Sequence, residues 1–427
     1  MKHLAPAFAG LLLAMPAMAQ NPIDQIRPDA PELAPYGENA IGVRTLTFTH
    51  EDQIDVPAAT EEGDLPTTDR ELTVEIWYPA AAGVEPGGTY TTVLRDGQTP
   101  TTLTGRAARD AAPAEGHFPL VILSHGYPGN RFLLSHLGEN LASKGYVAAS
   151  IDHPDSTYSD LGAFTSTLVN RPVDQGFVLD SLAELDDDLG AIIDASRTGV
   201  VGYSMGGYGA LIFGGAGVTE AVERIERYTP PQNLLRRNVV GTETHDALLD
   251  DRVDAIVAIG PWGRNRDFWD ADALAEFREP LLLVAGSSDN VSEYGAIRQI
   301  FNETTGVDRH LLTFENAGHN AAAPMPAPKE SWEPSPSLDF VPFEHYADPV
   351  WDTTRMNNIL AHFTTAFFDL HLKGETERSR YLDLVDQASD GVWSMGEDGD
   401  PTEEHSYWTG FSEGTARGLR LEFQPAQ

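Results

Sequence analysis

The chain has 427 residues, 41% hydrophobic and 22% charged, which suits a globular protein with a sizeable core. Its 65 acidic against 28 basic residues give a formal net charge of −37, a surface that repels nucleic acid and anionic membranes and argues against either as a partner. Cysteine is absent, which excludes disulfides, a thiol nucleophile and thiolate metal sites.

Residues 1–19 read as a secretory signal. Lys2 and His3 precede an apolar stretch from Leu4 to Met15, and Ala17-Met18-Ala19 supplies a small-residue cleavage site. The apolar run is too short to span a bilayer. Cleavage after Ala19 is expected, with a periplasmic or secreted product that has no stable membrane anchor. An N-terminal segment follows over 20–41.

Two antiparallel strands are expected next, near Gly42–Thr49 and over Glu71–Tyr78, where Leu72, Val74, Ile76 and Tyr78 alternate with polar positions. A Gly/Thr/Ala-rich insertion from Ala80 to Gly116 separates them from Phe118-Pro-Leu-Val-Ile-Leu-Ser, a run apolar enough to be a central strand. Leu133, Leu134, Leu137 and Leu141 mark a helix stopped by Gly145, and Val147–Ile151 is a second buried strand. Val178, Leu182, Leu185, Leu189 and Ile192 share helical spacing, which predicts a helix over 178–193 with Asp186, Asp187 and Asp188 on its solvated face.

A strand over Thr198–Tyr203 leads into Ser204 and a small-residue helix. The polar stretch Val218–Asp251 reads as a lid or insertion. Strands return at Val253–Ile259, Leu281–Ala285 and Leu311–Phe314. A Pro-rich loop, Ala321–Pro349, then leads to a helix capped by Asp352 and closed by Gly374. Short apolar runs alternating with amphipathic stretches specify the α/β class, with a mostly parallel central sheet and helices on both faces.

Gly202-Tyr203-Ser204-Met205-Gly206 carries the chemistry. A nucleophilic serine must stand on a sharp turn between strand and helix, and their close approach leaves no room for larger neighbours. Its hydroxyl needs a base, and the base an orienting acid, in the chain order Ser, Asp or Glu, His. Asp289 follows the strand Leu281–Ala285, and His319 follows the strand ending at Phe314. Asp267 is the main rival for the acid. His153 could line the site but lies out of order for the base, and His310, His362, His371 and His405 are misplaced. The oxyanion needs two donors, expected from the backbone N–H groups of Met205 and of Tyr127 in Ser124-His125-Gly126-Tyr127-Pro128-Gly129.

Those motifs, with Asp152-His153-Pro154 and Asn170-Arg171-Pro172-Val173-Asp174, resemble the α/β-hydrolase superfamily. The resemblance is to bacterial proteins similar to platelet-activating-factor acetylhydrolase and dienelactone hydrolase. Ser-Met-Gly-Gly is also similar to cutinase-like polyester hydrolases. Dienelactone hydrolases proper use a cysteine, which this chain lacks. The resemblance implies an α/β-hydrolase domain over 42–374, with an acidic C-terminal extension over 375–427. It implies Ser204 as nucleophile, Asp289 as acid, His319 as base, and Tyr127 and Met205 as the oxyanion hole, with no cofactor and no metal.

The expected activity is acyl-enzyme hydrolysis of small carboxylic esters, short-chain or lipid-derived. A serine peptidase of the prolyl-oligopeptidase type and an inactive binding protein on the same fold are the alternatives. The sequence leaves the oligomeric state open.

Overall fold

In the run Phe118–Ser124, Leu120 and Ile122 enter one apolar cluster while Val121 and Leu123 enter another, and all four are fully buried. Side chains alternate across a strand, so such a run must be covered on both faces. That requirement sets the architecture of the computed structural model, which describes residues 21–225 and 227–427. The expected leader 1–19 lies outside the described residues.

In chain order the first half holds the strands Asn21–Pro22 (β1), Ala40–Ile54 (β2), Thr67–Ala80 (β3), Gly88–Val93 (β4), Pro100–Gly105 (β5) and Ala108–Arg109 (β6). Next come Phe118–Ser124 (β7), the helix Ser135–Ser143 (α1), Val147–Asp152 (β8), the helix Phe164–Ala183 (α2) and Ile193–Tyr203 (β9). The helices Met205–Phe213 (α3) and Glu243–Asp246 (α4) precede Val253–Ile259 (β10). Ala271–Ala275 (α5), Leu281–Gly286 (β11), Tyr294–Glu303 (α6), Arg309–Phe314 (β12), Thr353–His371 (α7) and Leu419–Gln424 (β13) complete the chain.

The larger sheet has ten strands in the order β13-β12-β11-β10-β9-β7-β8-β3-β2-β6. The six from β8 to β12 run parallel, while β3 and β13 flank them antiparallel. Leu137 of α1 and Phe363 of α7 pack in the cluster on one face; Val178 of α2, Leu211 of α3 and Ile297 of α6 pack in the cluster on the other. This is the α/β-hydrolase architecture: parallel strands, and hence one edge of the sheet where every strand-to-helix loop emerges.

Within the insertion 80–116, β4 and β5 form a small second sheet with β1 of the N-terminal segment, and β6 joins the edge of the larger sheet. Several boundaries differ from expectation. The helix expected over 178–193 spans Phe164–Ala183 instead, and Asp186, Asp187 and Asp188 lie in the loop after it. Asp187 and Asp188 pair with Arg44 there, so the acidic run is a tether to β2 rather than a helix face. Val178 and Leu182 are buried as expected, but the chain turns before Leu189 and Ile192, which reach the same core from the loop and a short 3₁₀ turn.

The residues after 374 pack against the elements they follow. Trp408, Phe411, Leu419 and Leu421 join the core on the α7 side, and β13 caps the β12 edge in register Thr313 to Arg420. The stretch 218–251 is likewise packed rather than lid-like: Val218, Val222, Leu235 and Val239 enter the opposite core.

Candidate active site

Three loops at the C-terminal edge of the parallel strands bring the expected residues together. Ser204 follows β9, Asp289 lies beyond β11, and His319 lies beyond β12. Ser204 has φ 53° and ψ −109°, a strained conformation for a residue with a side chain. The flanking glycines make that turn possible. A Cβ on Gly202 would stand 2.2 Å from the Gly206 carbonyl oxygen, and one on Gly206 would stand 1.9 Å from that of Ser124. The turn is held by Ser204 N–H donating to Ile259 O at 2.8 Å and by Trp262 N–H donating to Ser204 O at 3.2 Å.

His319 Nδ1 lies 2.8 Å from Asp289 Oδ2, and His319 Nε2 lies 2.9 Å from Ser204 Oγ. Asp289 is buried, and its Oδ1 accepts from the N–H groups of Val291 and Ser292 at 2.8 and 3.0 Å. An ionised carboxylate can only accept, so it fixes the proton on Nδ1 and leaves Nε2 free to take one from the serine. Chemically, the arrangement can activate a hydroxyl for attack on a carbonyl.

Met205 opens α3, so its N–H lacks an intrahelical acceptor and stays available beside Ser204. The loop bearing Tyr127 passes directly against the serine: a Cβ on Gly126 would lie 3.3 Å from Ser204 Cβ. Ser204, His319, Gly126 and Tyr127 line one cavity of about 780 Å³.

The rivals are accounted for. Asp267 leaves 89% of its side chain exposed beside Arg264, and Asp289 alone reaches His319. His310 and His362 are buried, in β12 and α7 respectively, His371 closes α7, and His405 packs on Trp393, so none joins Ser204. The stretch 218–251 contributes nothing to the cavity wall among the described residues. The Pro-rich loop does, through Phe340, Phe343 and His345. Trp262 sits in an aromatic cluster with Phe164, Tyr208, Tyr228 and Phe268, and Phe164 in turn meets the Tyr127 ring at 4.8 Å. Tyr294 faces Thr313 and Arg420 instead.

The structure also contains a second Ser–His–Asp trio. Ser124 Oγ lies 2.8 Å from His153 Nε2, and His153 Nδ1 lies 2.9 Å from Asp174 Oδ2. All three side chains are inaccessible to solvent, so no substrate can reach this serine. Burial pushes His153 down to about 3, against the opposing pull of Asp174, and keeps the ring neutral. The trio anchors the loop after β7: His153 N–H donates to His125 Nε2 at 3.3 Å, and the Arg171 guanidinium donates to the His125 carbonyl. Arg70 clamps Asp174 at 2.7 and 3.0 Å. Asp152-His153-Pro154 and Asn170-Arg171-Pro172-Val173-Asp174 thus meet as scaffolding behind the Tyr127 loop. In the sequence His153 could line the site but lies out of order for the base, and its actual partners stand 29 and 21 residues away, beyond any local pattern.

Fold and site together define an α/β-hydrolase carrying a solvent-accessible Ser–His–Asp arrangement. The family described as PET hydrolase-like matches residues 104–222, a stretch that includes Ser204 and ends before Asp289 and His319. Cutinase 1 of Thermobifida cellulosilytica is 34% identical over 97 residues, 21% of this chain and 32% of that protein. Cutinase est1 of Thermobifida alba is 23% identical over 208 residues, 47% of this chain and 53% of that one. The bis(hydroxyethyl) terephthalate hydrolase of Streptomyces coelicolor is 33% identical over 103 residues, 23% of this chain and 29% of that protein. The chain therefore spans between about a third and about half of the length of these relatives. Among solved structures, a ferulic acid esterase from Streptomyces cinnamoneus superposes with a TM-score of 0.53 at 22% identity, covering 84% of this chain and 94% of that one. That likeness establishes the fold.

Proposed function

We propose that the protein is a serine-dependent hydrolase of carboxylic esters, working through an acyl-enzyme. The observation that carries this reading is the unbroken hydrogen-bonded line from Asp289 through His319 to Ser204, opening into the cavity. Similarity to cutinases and to a bis(hydroxyethyl) terephthalate hydrolase supports an ester as the bond cleaved.

In this mechanism His319 Nε2 takes the Ser204 proton as Oγ attacks the ester carbonyl. The N–H groups of Met205 and Tyr127 hold the oxyanion, His319 returns the proton to the leaving alcohol, and water then releases the acid by the same route. Asp289 keeps the ring oriented and stabilises its charged form. No step calls for a cofactor, and no group of three or more potential metal ligands occurs among the described residues. The small-residue site at Ala17–Ala19 supports export, and no described helix is long and apolar enough to cross a membrane.

A series of p-nitrophenyl esters from acetate to palmitate, hydrolysed by the wild type and by Ser204→Ala, tests the reading. Turnover by the wild type alone is expected; equal turnover by both would overturn it.

A further inference from the structure

The cavity that holds Ser204 and His319 also receives Arg95, from the tip of the β4–β5 hairpin. The tip is firmly fixed. Asp96 accepts from the N–H groups of Gln98 and Thr99 and from the hydroxyls of Thr99 and Ser335. Gly97, at φ +69°, runs so close to Tyr158 that a Cβ would stand 2.1 Å from its carbonyl oxygen. The Arg95 guanidinium lies 5.7 Å from the centre of the Phe340 ring, itself part of the cavity wall.

What this guanidinium lacks is a counter-charge. No carboxylate among the described residues lies within 4.0 Å of it. Arg44, Arg70, Arg106, Arg109 and Arg131 each have one. Asp96, its neighbour in sequence, is committed to the turn. Asp348, on the cavity wall, spends both oxygens on the N–H groups of Gly318, Val350 and Trp351. Glu344, also on the wall, is exposed and forms no ion pair with Arg95. Burial, with the Arg95 guanidinium nearby, pushes His345 down to about 3, so it stays neutral and adds no second positive charge to the cavity.

A chain of net charge −37 that leaves a half-buried cation unpaired in the cavity of its nucleophile has a place for an anion. The rigid fork of an arginine fits a carboxylate through two parallel hydrogen bonds. We propose that Arg95 is a specificity-determining residue that binds a carboxylate carried by the ester substrate, so that monoesters bearing a free acid group are preferred over their neutral counterparts. This rests on the esterase reading above.

The test compares 4-acetoxybenzoate with methyl 4-acetoxybenzoate, and monoethyl glutarate with diethyl glutarate, for the wild type, Arg95→Gln and Arg95→Lys. Arg95→Gln is expected to lower kcat/KM on at least one anionic ester by about 10- to 100-fold, mainly through KM. The neutral esters should stay within about twofold, which also serves as the folding control. Arg95→Lys should recover part of the loss. The responsive pair reports whether the charge sits on the alcohol or the acyl half. An equal loss on charged and neutral esters, or no loss on either anionic ester, would overturn the assignment. Wild-type protein inactive on all four esters would overturn the esterase reading itself.

Discussion

Asp174→Ala isolates the buried trio from the accessible one. The Asp174 carboxylate is fully buried and accepts two hydrogen bonds from Arg70, at 2.7 and 3.0 Å, and one from His153 at 2.9 Å. Removing it leaves the Arg70 guanidinium, only 7% exposed, with Asp155 and the Pro154 carbonyl. Breaking a buried pair from one side costs about 3–5 kcal/mol, and that loss is expected in urea denaturation at neutral pH. Its pH dependence has a definite sign. Burial opposes ionisation of Asp174, but the charge and hydrogen bonds of Arg70 and His153 outweigh it and hold the carboxyl well below the usual value of 3.8. The stabilisation is therefore complete above that value and fades as pH falls below it, so wild type and variant should converge only in strong acid. The same change frees the loop carrying Tyr127, and a misplaced oxyanion donor should lower kcat by about 10- to 1000-fold with KM little altered. A variant as stable as the wild type, or one with unchanged kcat, would refute the scaffolding role.

The elbow and the C-terminal edge make two further tests. Gly206→Ala places a methyl 1.9 Å from a backbone oxygen that cannot swing away, and it should lose soluble folded protein or at least the Ser204 geometry; normal expression with full ester turnover would contradict the close approach. Truncation before Leu419 strips β13 from β12 and removes Leu419 and Leu421, each worth about 1.5–3 kcal/mol of burial. Expected outcomes are a lower denaturation midpoint and aggregation through the bare edge, read by light scattering; an unchanged midpoint would show that 419–427 adds nothing to the core.

Much of this was legible because the relevant signals are local. The apolar runs Phe118–Ser124 and Leu281–Ala285 announce buried strands from their own composition. Ser204 is marked by the glycines that its own turn requires, and Asp289 and His319 each sit a few residues past a readable strand. What escaped depends on partners distant in sequence. Val178–Ile192 keeps helical spacing, yet the pairing of Arg44 with Asp187 and Asp188 belongs to the turn that ends the helix early. The polar stretch 218–251 looks like a lid until Val218, Val222 and Val239 find the core. The segment after 374 reads as acidic surface, although Trp408 and Leu419 complete the packing around α7. Ser124, His153 and Asp174 stand in three separate elements, and no pattern along the chain joins them.

Two serines in this protein each stand in line with a histidine and an aspartate of their own, and of the two Ser204 faces a cavity while Ser124 is sealed from solvent. Labelling the folded protein with a fluorophosphonate, followed by peptide mapping, therefore distinguishes Ser204 from Ser124 as the reactive serine. One adduct per chain is expected, on Ser204, abolished in Ser204→Ala and absent from Ser124. An adduct on Ser124, or no adduct on folded wild-type protein, would contradict Ser204 as the nucleophile.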